Sequence, residues 1–214
     1  MQLSPKTFRY QGKNLEYFDH PHHETYLCER RIEIPIGLDF LTKFKGKKVL
    51  EVGNVLSYYY PPGITNMVWD IVDKYEVVPE HGVINEDILT FKPTGEKYDA
   101  VLSLSTMEHV GFEQEYPGER NDFRKGIEAT KNLQENCLKK GGWLMITFPW
   151  GYNATFVMGV LDGELGFQTI HFMKRITSDN QWRQVGDRES FNNIHYNYPF
   201  YAGCGLIIAY YEKT

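Results

Sequence analysis

The stretch Lys47-Lys48-Val49-Leu50-Glu51-Val52-Gly53-Asn54 is a short apolar run that stops at a glycine, and twenty residues beyond that glycine a second run, Met67 to Asp73 (MVWDIVD), stops at an acid. Tyr98 to Ser105 (YDAVLSLS) and Trp143 to Phe148 (WLMITF) are two more segments of this kind. Nearly continuous apolar runs suit parallel strands covered on both faces. Between the last two, the chain from Asp122 carries Phe123, Ile127, Thr130, Leu133 and Cys137 at helical spacing. Asp122 can cap its start, Lys139 and Lys140 suit the negative end of the helix dipole, and Gly141-Gly142 offers a left-handed exit. Strand, helix, glycine pair, strand is a crossover unit, so the alternation predicts an α/β fold with a mostly parallel sheet.

The flanking segments fit that frame. Glu29 to Phe44 places Ile32, Ile36, Phe40 and Leu41 for a helix entering the first strand, with Pro35 in its middle. Thr7 to Phe18 alternates aromatic and polar residues around Gly12, as a hairpin does. Gly82-Val83-Ile84 reads as a short strand, and Cys204 to Tyr211 as a final strand added antiparallel or at an edge. The predicted organisation is a hairpin or lid extension over residues 1–28 and a single domain over 29–214.

Composition narrows the function. A chain of 214 residues, 42% hydrophobic and 24% charged, is long enough for one sizeable core. Its formal charge of -5, with lysines and arginines scattered apart from Lys43 to Lys48, argues against a nucleic-acid partner. The longest apolar runs fall short of the roughly 18 to 20 residues of a membrane-spanning helix, so no membrane partner is expected. Met1 to Tyr10 lacks the pattern of a secretory signal, and the expected location is the cytoplasm. Cys28, Cys137 and Cys204 are odd in number and far apart, which suits reduced packing residues.

Ligands of open α/β sheets lie outside the carboxyl ends of the strands, where an acid ending the second strand accepts from both ribose hydroxyls. Asp73 stands at that position, which favours a nucleoside-containing ligand. A dinucleotide pyrophosphate wants three spaced glycines at a helix N-terminus. Here Gly53 stands alone before Asn54, Val55 and Leu56, and Pro61-Pro62-Gly63 cuts short any long helix after it. S-adenosylmethionine carries ribose and adenine without phosphate and suits this turn, with Glu51 placed near the methionine amine and Gly53 and Asn54 lining the bend. In the acidic pair Glu86-Asp87, Asp87 can accept from the adenine amino group while Ile88 covers a ring face. Ser103 and Ser105, at the end of the Tyr98–Ser105 strand, complete the candidate cofactor contacts.

Taken in order, Glu51-Val52-Gly53-Asn54, Asp73, Glu86-Asp87 and Tyr98-Asp99 through Ser105-Thr106-Met107-Glu108-His109-Val110 resemble the motifs of the class I S-adenosylmethionine-dependent methyltransferases. The resemblance covers roughly residues 30 to 214. More narrowly, Glu29-Arg30, Ile34-Pro35, EVGNVLS (51–57) and Asp73-Lys74-Tyr75-Glu76 look similar to small bacterial and archaeal methyltransferases associated with glycan or polysaccharide biosynthesis. It implies a Rossmann-like sheet of seven strands with the last antiparallel, helices on both faces, cofactor near Gly53, Asp73 and Asp87, and a small-molecule or sugar acceptor near the ends of the fourth and fifth strands. The family's first motif usually carries two or three glycines; this chain has one.

Methyl transfer to an alcohol requires a proton acceptor, and His109 with Glu108 beside it follows the Tyr98–Ser105 strand where such a base would stand. The alternative is that His109 caps or braces the fold. Related methyltransferases place Glu-x-x-Glu-His here as metal ligands; with Ser105 in the first position a hard oxygen ligand is lost, so no metal is expected. His20-Pro21-His22-His23 reads as an exposed loop or part of a lid. Trp150, Tyr152 and Asn153, with His171 and Arg175, are candidates for the acceptor side, and the loop Gly111 to Asn121 for closure. The leading expectation is methyl transfer to a small or glycan-like acceptor, at oxygen. The alternative is a nucleoside-binding module of the same fold without turnover, suggested by the glycine-poor turn.

Overall fold

The computed structural model describes residues 6–60, 67–112 and 121–214, so Pro61-Pro62-Gly63 and most of the loop expected to close over the site lie outside the described residues. In chain order the elements are β1 (Thr7–Tyr10), β2 (Lys13–Glu16), α1 (Arg30–Leu41), β3 (Lys48–Val52), the single turn α2 (Leu56–Tyr59), β4 (Val68–Val72) and β5 (Tyr98–Leu104). They continue with α3 (Lys125–Asn132), β6 (Leu138–Pro149), α4 (Ala154–Leu161), β7 (Thr169–Arg175), β8 (Trp182–Val185) and β9 (Gly205–Glu212). Strands β1 and β2 form the hairpin, and the other seven described strands form one sheet in the order β4-β3-β5-β6-β9-β7-β8.

That sheet is mixed, so the expectation of a mostly parallel one is met only in part. Strands β4, β3, β5 and β6 are parallel, whereas β9 runs antiparallel to both β6 and β7, and β8 runs antiparallel to β7. The change has a local cause: β7, β8 and β9 follow one another through loops and a short 3-10 turn, and antiparallel strands need no crossover helix. The expected strand at Gly82–Ile84 is reduced to one parallel bridge between Val72 and Ile84. β7 and β8 answer to no expectation from the sequence.

Alternation along the central strands produces two cores, one on each face of the sheet. Val49 of β3 joins Ile32, Ile36 and Phe40 of α1, while Leu50 and Val52 join Ile127, Phe156 and Val160 of α3 and α4. Pro35 sits inside α1 without breaking it. A proline has no N–H for the carbonyl four residues earlier, that of Arg31. This carbonyl accepts instead from the Phe18 N–H at 3.0 Å. Arg31 adds a second tie, donating from Nε to Asp19 Oδ1 at 2.7 Å and from Nη1 to the carbonyls of Asp179 and Asn180.

Two helix-boundary expectations need correction. α3 opens at Lys125 rather than at Asp122, leaving Phe123 exposed against Phe112, and a π-turn over Leu133–Cys137 delivers Leu133 and Cys137 to the core. Gly141-Gly142 lies within β6, where its register against β5 shifts and Gly141 takes a φ of 73°. A strand irregularity uses a left-handed glycine as readily as a helix exit does, so the same residues serve a different purpose. Among the described residues no helix is long and apolar enough to cross a membrane.

The hairpin lies against β8 and α1, and its Tyr10 hydroxyl meets that of Tyr210 at 2.9 Å in a buried site. Tyr10→Phe should cost about 1 kcal/mol in urea unfolding, because the Tyr210 hydroxyl loses its buried partner. The double change with Tyr210→Phe should cost less than the sum of the single changes; strict additivity would show that the two hydroxyls do not act as a pair.

Candidate functional site

β3 ends at Gly53 with a φ of 84°, and a Cβ at this position would overlap the Thr106 side chain beyond β5. The ends of the two strands therefore approach too closely for any side chain at residue 53. The turn that follows is held from within. Glu51 is wholly buried and accepts from the backbone N–H groups of Val55 and Ser57, each at 3.0 Å, and of Leu56. Burial pushes its carboxyl up to about 7, against the pull of those bonds. Glu51 thus caps α2 and does not line the cavity beside it. Asn54 Oδ1 accepts from Ser57 Oγ at 2.6 Å and lies 3.0 Å from His81 Nδ1, while Asn54 Nδ2 is buried without a hydrogen-bond partner.

A cavity of about 290 Å³ opens at the carboxyl ends of β3, β4 and β5. Gly53, Asn54, Asp73, Asp87, Ile88, Ser105 and His109 all line it. Asp73 Oδ1 accepts from the N–H groups of Tyr75 and Glu76 at 2.9 and 2.8 Å, which fixes the carboxylate and leaves Oδ2 without a bond among the described residues. Asp87 Oδ1 accepts from Leu89 N–H at 3.0 Å, and its Oδ2 lies 3.1 Å from Lys74 Nζ. Ser103 is buried in β5 and stands apart from the cavity lining.

A second chamber, of about 230 Å³, shares His23, Arg30, Ser105 and His109 with the first, and these four residues mark where the two meet. Ser105 occupies the left-handed region at a φ of 40°. It is held there by donating its Oγ to Glu33 Oε1 at 2.5 Å and its N–H to the Thr147 carbonyl at 3.0 Å. Such strain persists only where neighbours over-determine it. Thr147 Oγ1 donates to the same Glu33 oxygen at 2.6 Å, while Glu33 Oε2 has no partner. Burial raises the Glu33 carboxyl above its ordinary range.

The short turn after Ser105 places Glu108 and His109 in this chamber. His109 Nδ1 stands 3.2 Å from the Tyr152 hydroxyl, and its Nε2 stands 3.7 Å from Glu108 Oε1. Glu108 is wholly buried and, among the described residues, neither of its oxygens has a hydrogen-bond partner in another residue. Burial drives its carboxyl up to about 8; His109 and the residue's own backbone N–H oppose the rise, and Glu33 and Glu29 reinforce it.

Among the other expected acceptor-side residues only Tyr152 lines the chamber. Trp150 packs on Phe191, and Asn153 caps α4 while donating to the Glu108 carbonyl. His171 packs against Tyr10 and Tyr210, and Arg175 is spent on the carbonyls of Leu27, Tyr201 and Ser178. Sequence reasoning missed Arg30, Glu33, Tyr196 and Tyr201. Arg30 lines both cavities, and its buried Nη1 has no partner. One signal was available: Glu29 and Glu33 put carboxylates one helical turn apart on the otherwise apolar Ile32-Ile36 side of α1.

No protein-family model matches this chain, and no curated protein sequence does. Solved structures do. N-methyltransferase NodS from Bradyrhizobium japonicum is 14% identical over 86% of this chain and 96% of its own, with a TM-score of 0.50. A TehB-like SAM-dependent methyltransferase from Corynebacterium glutamicum is 16% identical over 85% and 87%, with a TM-score of 0.51. The [4+2]-cyclase SpnF is 12% identical over 86% and 82%, with a TM-score of 0.56. At these identities the likeness establishes the fold, a Rossmann-like one found in S-adenosylmethionine-dependent methyltransferases and also in a cyclase.

The buried acids set a pH dependence. Glu51, up to about 7, and Glu108, up to about 8, keep their protons when folded at pH values where the unfolded chain, with ordinary carboxyls near 4.5, has lost them. The folded state then binds more protons, so stability is fully present below the unfolded value and is lost as pH rises through the folded ones. The thermal midpoint should be lower at about pH 8 than at about pH 5.5, and Glu108→Gln should flatten the fall. A midpoint that climbs across this interval would show that the acids are ionised in the fold.

Proposed function

We propose that this chain is a methyltransferase that uses S-adenosylmethionine to modify a small-molecule acceptor. The observation that carries the reading is the convergence of Gly53, Asp73, Asp87 and Ile88 on one cavity at the carboxyl ends of parallel strands. An acid fixed at the tip of the second strand suits ribose hydroxyls, and a carboxylate followed by an aliphatic side chain suits an adenine amino group and ring. α2 is a single turn, and the N–H groups at its start, those of Val55, Leu56 and Ser57, already go to Glu51, so a pyrophosphate would find few donors.

The residues present also fit the amino-acid end of the cofactor. Asn54 Nδ2 and Arg30 Nη1 are buried donors without partners beside the Gly53 bend and at the junction of the cavities. Arg30 would take the methionine carboxylate and Asn54 a polar atom near the ribose. When bound, the cofactor supplies an activated methyl group on a sulfonium, so the new bond to carbon forms as the carbon–sulfur bond breaks, with the electron pair staying on sulfur. What remains for the protein is to align the acceptor, exclude water and receive a proton. Glu108 and His109 stand where the second chamber meets the first. The lid role expected for the N-terminal extension is proposed for residues 22–27, because His23 lines both chambers, whereas no hairpin residue does. A sugar-like acceptor is part of this reading, since Tyr152, Tyr196 and Tyr201 offer ring faces. Occurrence of the fold in a cyclase keeps cofactor binding without methyl transfer as a second reading.

Calorimetry separates the parts. S-adenosylhomocysteine should bind, and Asp73→Ala should weaken both it and adenosine by about 1 to 3 kcal/mol. Arg30→Gln should weaken S-adenosylhomocysteine and leave adenosine unchanged. A methylated product recovered by mass spectrometry would separate transfer from mere binding. Tight binding of a reduced nicotinamide dinucleotide, with none of S-adenosylhomocysteine, would overturn the assignment.

A further inference from the structure

We propose that the second chamber takes an amine, held as its ammonium by Glu108, so that the acceptor atom is nitrogen rather than the oxygen expected from the sequence. The inference rests on the reading of the larger cavity as the S-adenosylmethionine site. It starts from an unmet requirement: Glu108 is 0% exposed, it lines the chamber, and, among the described residues, neither carboxyl oxygen has a hydrogen-bond partner in another residue. Buried polar side-chain atoms are nearly always paired, and leaving a carboxyl unpaired is costly. The nearest cationic candidate is the His109 ring, and 3.7 Å from Nε2 to Oε1 is too long for a hydrogen bond.

Charge and shape then discriminate among partners. Glu24, Glu29 and Glu108 line the chamber against one guanidinium, Arg30, and Glu33 lies close enough behind them to raise the Glu108 carboxyl further. Arg30, at the junction, is the group assigned above to the cofactor carboxylate. Tyr152 and Tyr196 form an edge-to-face pair with ring centroids 4.9 Å apart, and Tyr201, 69% exposed, lies on the same chamber. Ring faces attract cations. A hydroxyl can both donate to and accept from a neutral Glu108 carboxyl, but it carries no charge and leaves the acids around the chamber with Arg30 alone. An ammonium offers three donors and the missing positive charge.

The same contact prepares the nitrogen for reaction. Glu108 faces Glu29 and Glu33 from α1 and the residue before it, His109 from its own turn, and Tyr196 from the segment before β9, and shares its chamber with Arg30; on balance the acids and burial keep it protonated at neutral pH. An arriving ammonium displaces that proton to solvent and pairs with the carboxylate. One proton then passes from the nitrogen to a Glu108 oxygen, which frees the nitrogen lone pair and leaves Glu108 neutral again. The His109 ring, beside Glu108 and reaching both cavities, is placed to carry the proton outward.

The test is calorimetry on the full chain saturated with S-adenosylhomocysteine, with two probe pairs: 2-phenylethylamine against 2-phenylethanol, and methyl glucosaminide against methyl glucoside. In whichever scaffold binds, the amine should bind at least about tenfold tighter than its alcohol, the size expected of a charge-assisted bond. Its binding at neutral pH should release a proton, seen as an enthalpy that changes with the ionisation heat of the buffer; alcohol binding should release none. Glu108→Gln should abolish both the preference and the proton release without altering S-adenosylhomocysteine affinity. Should that variant fail to fold, the proton release of the unaltered protein still decides, and Tyr201→Leu should weaken the amine several-fold while leaving the cofactor product unaffected. Equal affinities for amine and alcohol, amine binding without proton release, or no amine binding to a chain that does hold S-adenosylhomocysteine would each overturn the amine assignment. Failure to bind S-adenosylhomocysteine at all would instead strike the function on which it rests.

Discussion

At Gly53 the backbone takes a φ of 84°, and the Thr106 side chain fills the space a Cβ would need. Two parallel strands, β3 and β5, are thereby brought together at their carboxyl ends so closely that the chain after β3 must turn at once. The turn exposes three N–H groups in a dry interior, and Glu51 satisfies them from below. With the turn fixed, Gly53, Asn54 and the ends of β4 and β5 become walls of one cavity. A side chain at residue 53 would force Thr106 away and change the position of Ser105 and everything after it.

Three of the buried glutamates, Glu33, Glu51 and Glu108, are wholly shielded from solvent and form a series. Glu51 receives three backbone donors, Glu33 receives two hydroxyls on one oxygen and none on the other, and Glu108 receives none from another described residue. Burial raises all three carboxyls. Only Glu108 lines the chamber, so the unmet bonding is greatest where a ligand can reach it. A sequence that specifies its fold consistently tends to leave such conflicts at functional positions. The distribution is therefore informative in a way that a count of buried acids is not.

How much of this was legible in the sequence depends on where the determining contacts lie along the chain. β3, β4, β5 and β6 announce themselves because both faces are covered and nearly every residue is apolar. β7, with Thr169, His171, Lys174 and Arg175 among its seven residues, is only half buried, and β8 has four residues at the sheet edge, so neither produces a clear pattern. The position of Asp73 beside Gly53 could be read because the parallel topology places strand ends together. The role of Glu51 could not. An acid just before a glycine bend reads equally as a ligand contact or a cap, and the three N–H groups that decide the matter belong to a turn whose shape the spacing does not encode. Gly141-Gly142 carried a correct message, left-handed backbone, with the wrong location.

The two cavities differ in the same respect, for a topological reason. The first is assembled from residues 52–55 and 72–76 at the ends of parallel strands and 86–89 after the Ile84 bridge, with the end of β5 and the start of α1 closing it. Any sheet of this kind places such segments together, so the place of the first cavity follows from the fold. The second draws on residues 28–30 before and within α1, 105–109 after β5, 149–152 after β6, and 196–202 in the connection to β9. That connection belongs to the antiparallel half of the sheet, where loop length and path are not dictated by crossovers. Bringing Tyr196 and Tyr201 beside Glu108 depends on how this connection is anchored, in part through Arg175 on the Tyr201 carbonyl and Glu29 on the Gly203 N–H. Arg175 and Glu29 thus hold this wall of the chamber in place. Divergence among chains of this fold should then concentrate in such anchors, and the walls of the first cavity should change less.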